Sequence, residues 1–460
     1  MLDSVLSLLG MLAAFIVAIG LLVSVHEYGH FWVARKLGIR VLKFSIGFGK
    51  PLLKHVSKVD GVEYIIAAIP LGGYVKMLDE REGNVTAEEA RYSYNRAPIW
   101  KRILTLLAGP FANLAFAVLA YWVLLMVGIP GFKPVVGDVM PESIAAKAGL
   151  KRDDLIVAVQ GRTVDTQTDV MLGVIDSVTT GRVPLRVRAA QGQGAEREVV
   201  LQPGTGRRDL TEPQNMLSGL GLEFWSPRLP AVIAAVTEGG AAAKAGLRAG
   251  DEILSIGGQP VADITAVSKL IGPLVGQETV LRIKRAQSEL DLPVSVLADT
   301  SQGQRVGRIG VSLDTRFAMP DSMRALQKYS PTAALGKGFS QTWDTSVLTL
   351  KMVWKMLVGE VSTKNLSGAI SMVEISGAAA RQGGMAFLNW LALISISLGV
   401  FNLLPIPMLD GGQIVYQLVE LLKGSPVSER IQLISQQVGM AVLLILLSLT
   451  LYNDIARHLS

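Results

Sequence analysis

The stretch LLVSVHEYGHFW, Leu21 to Trp32, places two histidines and a glutamate at the end of an apolar run suited to lipid. Ionisable side chains are costly in hydrocarbon, so their presence inside a membrane segment indicates function. His26 and His30 are four positions apart and therefore share one helical face, with Glu27 beside them. This HExxH pattern predicts a zinc site in which two neutral imidazoles bind the metal and the glutamate is the general base. The alternative is a pair of histidines packed inside a helical bundle.

The composition indicates a membrane protein. Half of the 460 residues are apolar and 18% are charged. There is no cysteine, which excludes a disulfide scaffold, an iron–sulfur cluster and a thiol nucleophile, and leaves His, Asp and Glu as metal ligands. We attribute the formal charge of +6 to membrane topology and predict no nucleic-acid partner.

Four stretches are long and apolar enough to span a bilayer. We therefore predict a polytopic α-helical membrane protein with four transmembrane helices, a membrane-associated β-rich loop and two tandem extracytoplasmic α/β modules. Within the loop, VLKFSIGFGKPLL and VEYIIAAIPLGGYVKML are rich in β-branched and aromatic residues with Gly and Pro breaks, which predicts short strands and turns. The predicted boundaries are 1–34 (first span, with HExxH), 35–102 (β-rich loop), 103–130 (second span), 131–222 and 223–318 (the two modules), 319–381 (juxtamembrane amphipathic helix region), 382–409 (third span), 410–430 (cytoplasmic connection) and 431–455 (fourth span).

The orientation follows from the basic residues. Lys and Arg are concentrated in the loop between the first two spans, which predicts that this loop is cytoplasmic. Both termini and the long 131–381 segment then lie outside. Within that segment, ALGKGFSQTWDTSVLTLKMVWKMLVG is typical of an amphipathic helix on the outer membrane surface, with a buried helix of a soluble domain as the alternative.

The two modules come from an internal repeat. AAKAGLKRDDLIVAVQGRTV (Ala145–Val164) matches AAKAGLRAGDEILSIGGQPV (Ala242–Val261). A spacing of about 100 residues is domain-sized and predicts a duplicated globular module. The sequence pattern resembles the PDZ domain, which binds extended peptides by adding a strand to its sheet. Peptide binding and steric gating both remain open.

A zinc hydrolase needs a third protein ligand and an open coordination position. NLLPIPMLDGGQ, Asn402 to Gln413, supplies Asp410 at the end of the third span, after two prolines that break the helix. Spans one and three run in the same direction and carry their polar groups at the inner end. We therefore expect Asp410 to meet His26 and His30 at one depth. The alternative is that Asp410 only caps the following helix.

Several motifs together resemble the bacterial site-2 protease family. They are HExxH, GGYVKM (Gly72–Met77), AGPFANL, NLSGAISM (Asn365–Met372) and NLLPIPMLDGG, and the similarity covers essentially the whole chain. One departure is Ala369, where the family leads us to expect proline.

The resemblance implies an intramembrane zinc endopeptidase of the bacterial inner membrane, with its active site near the cytoplasmic side and the modules and both termini in the periplasm. His26, His30 and Asp410 match the Zn²⁺ ligands, and Glu27 matches the base. The implied substrates are single-span membrane proteins already cut on the outer side, such as anti-sigma factors, and remnant signal peptides. Asn402 is a candidate for holding the substrate backbone, with helix capping or packing as the alternative. For Asn113 in GPFANL we predict a packing role or a hydrogen bond between helices.

A substrate helix must unwind before its carbonyls can be attacked. The strand-forming segment with Gly73, Tyr74 and Val75 is our candidate for receiving the unwound stretch as an added strand. Two rival functions are a membrane-tethered peptide-binding scaffold and a metal transporter. Glu27→Gln separates them from a protease, because only proteolysis needs the base.

Overall fold

The computed structural model describes residues 2–459 except 84, 179, 190–194, 205–207, 227–228, 238, 300–305, 315–319, 364–365 and 367. Two residues of the motif NLSGAISM (365 and 367) and the predicted module boundary at 318 lie outside the described residues.

The chain begins with a long helix and a long hairpin. Its first elements are α1 (Leu2–Lys36), β1 (Val41–Val56), β2 (Glu63–Met77) and α2 (Ile99–Val127). We expected short strands and turns between the helices, but β1 and β2 have 16 and 15 residues and pair with each other. Gly47 and Gly49 in β1 have positive φ, so the strand continues through register shifts that would otherwise end it.

The first module is built around a four-stranded antiparallel sheet. Its elements are β3 (Ile129–Phe132), β4 (Val136–Val139), α3 (Ile144–Lys147), β5 (Asp154–Val159), β6 (Arg162–Thr163), α4 (Gln167–Val178), β7 (Val183–Ala189), β8 (Arg197–Leu201), α5 (Pro213–Leu220) and β9 (Leu222–Phe224). The sheet order is β6–β5–β7–β8, and β4 pairs with β9. Alternate side chains of β7 (Val183, Leu185 and Val187) are buried in a core shared with α4, as expected for a strand with one covered face.

The second module repeats this order, except that a pair of short strands takes the place of α5. Its elements are β10 (Ile233–Val236), α6 (Ala241–Lys244), β11 (Glu252–Ile256), β12 (Gln259–Pro260), α7 (Ile264–Ile271), β13 (Glu278–Arg285), β14 (Ser288–Ser295), β15 (Leu297–Asp299), β16 (Val306–Arg308) and β17 (Val311–Leu313). The sheet order is β12–β11–β13–β14, and β10 pairs with β17. Asp154 and Asp251 occupy equivalent turns, and each accepts a hydrogen bond from the backbone N–H three residues before it. Arg197 pairs with Asp154, and Arg285 with Asp251.

After the modules come β18 (Arg324–Gln327), which pairs with β3, and the helices α8 (Pro331–Leu357) and α9 (Ala369–Gln382). Helix α8 has two distinct faces. Ala334, Gly338 and Thr342 are buried, and the added Cβ of a residue at 338 would lie 3.2 Å from the Val118 carbonyl of α2. The other face exposes large apolar side chains, namely Leu335, Phe339, Trp343, Leu350 and Trp354. An exposed apolar face of this kind suits a helix on a membrane surface.

The chain ends with α10 (Gly384–Asn402), α11 (Asp410–Lys423) and α12 (Glu429–Leu459). Helix α10 stops at Asn402, before the predicted end of the span at 409, because Pro405 and Pro407 cannot continue it. Asp454 of α12 is fully buried and accepts hydrogen bonds from the backbone N–H groups of Gly368 and Ile370, each 3.0 Å long. A side chain from α12 thus caps the first turn of α9.

By length and composition, and within the described part of the chain, four helical segments could cross a membrane. They are Leu6–Lys36, Ile99–Val127, Gly384–Asn402 and Glu429–Ala456. Helix α2 packs between α1 and α10. Leu124 of α2 and Ile396 of α10 belong to one buried apolar cluster.

Candidate metal centre

Two turns of α1 present the histidine pair. His26 and His30 are 8% and 7% exposed, and their Nε2 atoms are 3.1 Å apart. The rings meet edge to face, with centroids 4.8 Å apart. The helix itself sets this arrangement, because side chains four residues apart lie one above the other.

Asp410 completes the cluster from the other end of the chain. Its Oδ2 lies 3.1 Å from Nε2 of His26 and 3.4 Å from Nε2 of His30. It is the first residue of α11, placed there by the turn that follows α10. Gly411 and Gly412 make that turn possible, because a Cβ on either would collide with backbone carbonyls of residues 403–406.

The three side chains fit a zinc ion. Ligands about 2.0–2.1 Å from a tetrahedral Zn²⁺ are about 3.3 Å from one another, close to the distances between these three atoms. Three lone pairs facing one another repel unless they share a cation. Oδ2 of Asp410 is also buried and has no hydrogen-bond partner. Two imidazoles and one carboxylate leave one tetrahedral position for water, as in catalytic zinc sites.

Helix α2 orients both rings. Nδ1–H of His30 donates to the Thr105 carbonyl over 2.7 Å, which leaves the Nε2 lone pair for a metal. The side-chain amide of Asn113 lies 3.1 Å from Nδ1 of His26. The amide atom nearest the ring is Nδ2, and Oδ1 of Asn113 is buried without a hydrogen-bond partner. A flip of the amide, which exchanges these two atoms, gives Oδ1 the ring N–H as its donor and fixes the same tautomer in His26. We had interpreted Asn113 only as a packing or interhelical residue.

Gly109 lets α2 approach this closely. A Cβ at this position would be 2.6 Å from Cε1 of His30 and 2.8 Å from Cε1 of His26. Gly109 is the glycine of the motif AGPFANL, and the motif alone does not explain why a glycine is needed at this position. The reason is the distance between two helices, which a single sequence does not contain.

Glu27 faces the hairpin. The backbone of Val75 in β2 lies next to its carboxylate. A Cβ on Gly73 would be 3.0 Å from Cγ of Glu27, so β2 is packed directly against the proposed base. Tyr74 turns the other way and stacks on Phe48, with ring centroids 6.3 Å apart. The structure therefore brings Gly73 and Val75 to the metal cluster and leaves Tyr74 on the opposite side of the strand.

Asn402 lies at the last turn of α10. Its side-chain N–H donates to the Leu398 carbonyl over 3.0 Å. This is the local contact that the alternative interpretation, helix capping or packing, predicts. A role in holding substrate stays a prediction.

Comparison with known proteins adds an independent finding. The model of Peptidase family M50 matches residues 14–446. The regulator of sigma-E protease RseP of Escherichia coli (strain K12) is 39% identical over 454 residues, covering 98% of this chain and 100% of the relative. Protease RseP of Yersinia pestis is 39% identical over 456 residues, with the same coverage. A "Putative zinc metalloprotease" of Vibrio cholerae is 38% identical over 445 residues, covering 96% of this chain and 98% of the relative.

Proposed function

Because the chain belongs to peptidase family M50 and is a zinc metalloprotease, we propose that it cleaves single-span membrane proteins within the bilayer. His26, His30 and Asp410 hold the zinc, and Glu27 is the general base. The observation that carries the proposal is that Asp410, eight residues after the end of α10, meets the histidine pair of α1, and that α1 and α10 are both long and apolar enough to cross a membrane. Such groups are too costly at that depth without a function.

The chemistry follows from the positions of the side chains. Zinc, when bound here, supplies Lewis-acid polarisation of the scissile carbonyl and a water with a pKa lowered toward about 7. Glu27 accepts the proton of the attacking water and gives it to the leaving amine as the carbon–nitrogen bond breaks. The close packing of β2 at Gly73 against Glu27 limits the movement of the carboxylate during both transfers.

The outer edge of β2 is the proposed docking site for the unwound substrate. Gly73 and Val75 place this edge beside Glu27, so a strand added here would lie next to the reacting groups. Replacing Val75 by proline would remove a backbone N–H from this edge, but it would also disturb the strand next to Glu27 and so would not test docking alone. A cleaner test is a disulfide between a cysteine at Tyr74, an exposed position of the same strand that does not contact Glu27, and a cysteine in the substrate, since the chain has no cysteine of its own.

The relatives suggest which substrates to try. The Escherichia coli relative is named as a regulator of sigma-E protease, so we propose anti-sigma factors already cut on the outer side as one class and remnant signal peptides as a second. We place the chain in the inner membrane, with both termini and the two PDZ-like modules in the periplasm. The modules would either bind the cut end of the substrate or block substrates that are still intact.

The test is cleavage of a model single-span substrate by the purified full-length protein. We expect Glu27→Gln to lower the rate by a factor of about 10²–10⁴, the usual contribution of a general base, while zinc stays bound. Glu89→Gln, which changes a glutamate paired with Arg40 on the surface, is the matched control. Unchanged cleavage by Glu27→Gln, or full activity after zinc removal, would refute the proposal.

A further inference from the structure

We infer that Arg102 and Glu420 form a positioning pair that holds Asp410 against the two histidines. The inference rests on the proposed function, since it assigns a role in assembling the same metal centre. As one of the basic residues of the loop 35–102, Arg102 was expected to act only in membrane topology.

The pair has the geometry of a fixed connection. The guanidinium of Arg102 makes two hydrogen bonds to the carboxylate of Glu420, 2.6 and 3.0 Å long, between residues 318 positions apart. Their side chains are 10% and 17% exposed. Buried ion pairs contribute little net stability because both charges lose their hydration, but the two-pronged contact fixes relative orientation. We therefore assign this ion pair a role in positioning α11 relative to α2.

Helix α11 transmits this placement to Asp410. Glu420 lies on the same helix as Asp410, about 15 Å along the axis at 1.5 Å per residue. A tilt of about 4° around Glu420 would move Asp410 by about 1 Å, more than the ~0.5 Å within which a functional site must be held. Before Asp410 the chain is a non-helical turn, which fixes the first end of α11. The ion pair of Glu420 with Arg102 fixes the helix at a second point, near its last turn.

The first turn of α2 is the common reference for both halves of the centre. Lys101, next to Arg102, donates from Nζ to the Leu37 carbonyl over 2.8 Å and so anchors the end of α1. One turn later, Thr105 accepts the hydrogen bond from His30. Neighbouring side chains of α2 thus connect to the helix of the histidines on one side and to the helix of the aspartate on the other.

The experiment compares zinc affinity in full-length variants, measured by chelator competition on folded protein well below its Tm. Arg102→Lys keeps the positive charge that topology requires but loses the two-pronged contact. Glu420→Gln keeps the shape and loses the charge. Arg102→Glu combined with Glu420→Arg restores an ion pair in reverse. The controls are Arg96→Lys and Glu80→Gln, which alter an exposed pair next to the same helix.

We expect Arg102→Lys and Glu420→Gln each to weaken zinc binding about tenfold, the lower end of the effect of losing an outer partner of a metal ligand. The reversed pair should recover part of the affinity, and the controls should match wild type. A purely structural role would lower the Tm without changing zinc affinity per folded molecule. If Glu420→Gln does not fold, Arg102→Lys decides the question.

Zinc affinity of Arg102→Lys within twofold of wild type would overturn the inference. A different result is expected if the proposed function is wrong and His26, His30 and Asp410 do not hold zinc. In that case His26→Ala, as the single change in the protein, would bind zinc as tightly as wild type. That comparison is made first.

Discussion

Replacing Gly109 by alanine tests how closely α2 is fitted to the metal centre. The added Cβ would lie 2.6 and 2.8 Å from the Cε1 atoms of His30 and His26. Carbon atoms in ordinary contact are about 3.5–4.0 Å apart. The rings or the helix must therefore move by about 1 Å to admit one methyl group.

The size of the effect follows from that displacement. A misplacement of about 1 Å costs a factor of about 10² in turnover, and disturbed ligand orientation costs about 10–100-fold in metal affinity. We expect a 100-fold loss of kcat, or about 2.7 kcal/mol at 1.36 kcal/mol per factor of ten. Helix propensity acts in the opposite direction, since alanine stabilises a helix interior by about 1 kcal/mol over glycine. A loss of activity would therefore not come from a weakened α2.

The assay measures the zinc dissociation constant and the cleavage rate of the same preparation. Gly20→Ala is the matched control, because it changes a glycine of α1 whose added Cβ meets nothing within 4 Å. We expect this control to behave as wild type. Wild-type zinc affinity and turnover in Gly109→Ala would show that the helices are not fitted as described, and that the reasoning from this contact is wrong.

Four further perturbations test other parts of the molecule. Asn113→Ala should weaken zinc binding about 10–100-fold by releasing the ring of His26, as seen by chelator competition. A zinc-specific chelator should abolish cleavage, and added zinc should restore it. The hydrogen bond from Arg285 lowers the pKa of Asp251. The stability that this bond gives the second module is therefore present above the usual aspartate pKa and is lost as the pH falls below about 4. Hydrogen exchange of β11 should become faster below that pH, and its pH dependence should be weaker in Arg285→Gln. Asp454→Ala should destabilise the first turn of α9 by about 1–2 kcal/mol, the cost of a lost cap, measured by hydrogen exchange of that turn.

The parts of the site that were predictable depend on local geometry and on membrane topology. A spacing of four residues places His26 and His30 on one face of any helix. The common direction of two spans placed Asp410 at the depth of the histidines, and the three side chains do lie together. The predicted family, enzyme class and zinc cofactor are confirmed by the family match and by the similar zinc metalloprotease.

The parts that were not predictable depend on distances between elements far apart in the chain. The role of Gly109 and the packing of Gly73 against Glu27 appear only when the helices and the strand are packed together. The length of β1 was underestimated because its glycines were interpreted as breaks. They instead permit positive φ within a continuous strand.

The separation of Asp410 from the two histidines also has a consequence for biosynthesis. While the ribosome is still synthesising the two modules, the nascent polypeptide carries both imidazoles but not the carboxylate that lies beside them in the folded chain. In the proposed centre, zinc therefore gains its third protein ligand only after residue 410 has been made, when both modules are already complete.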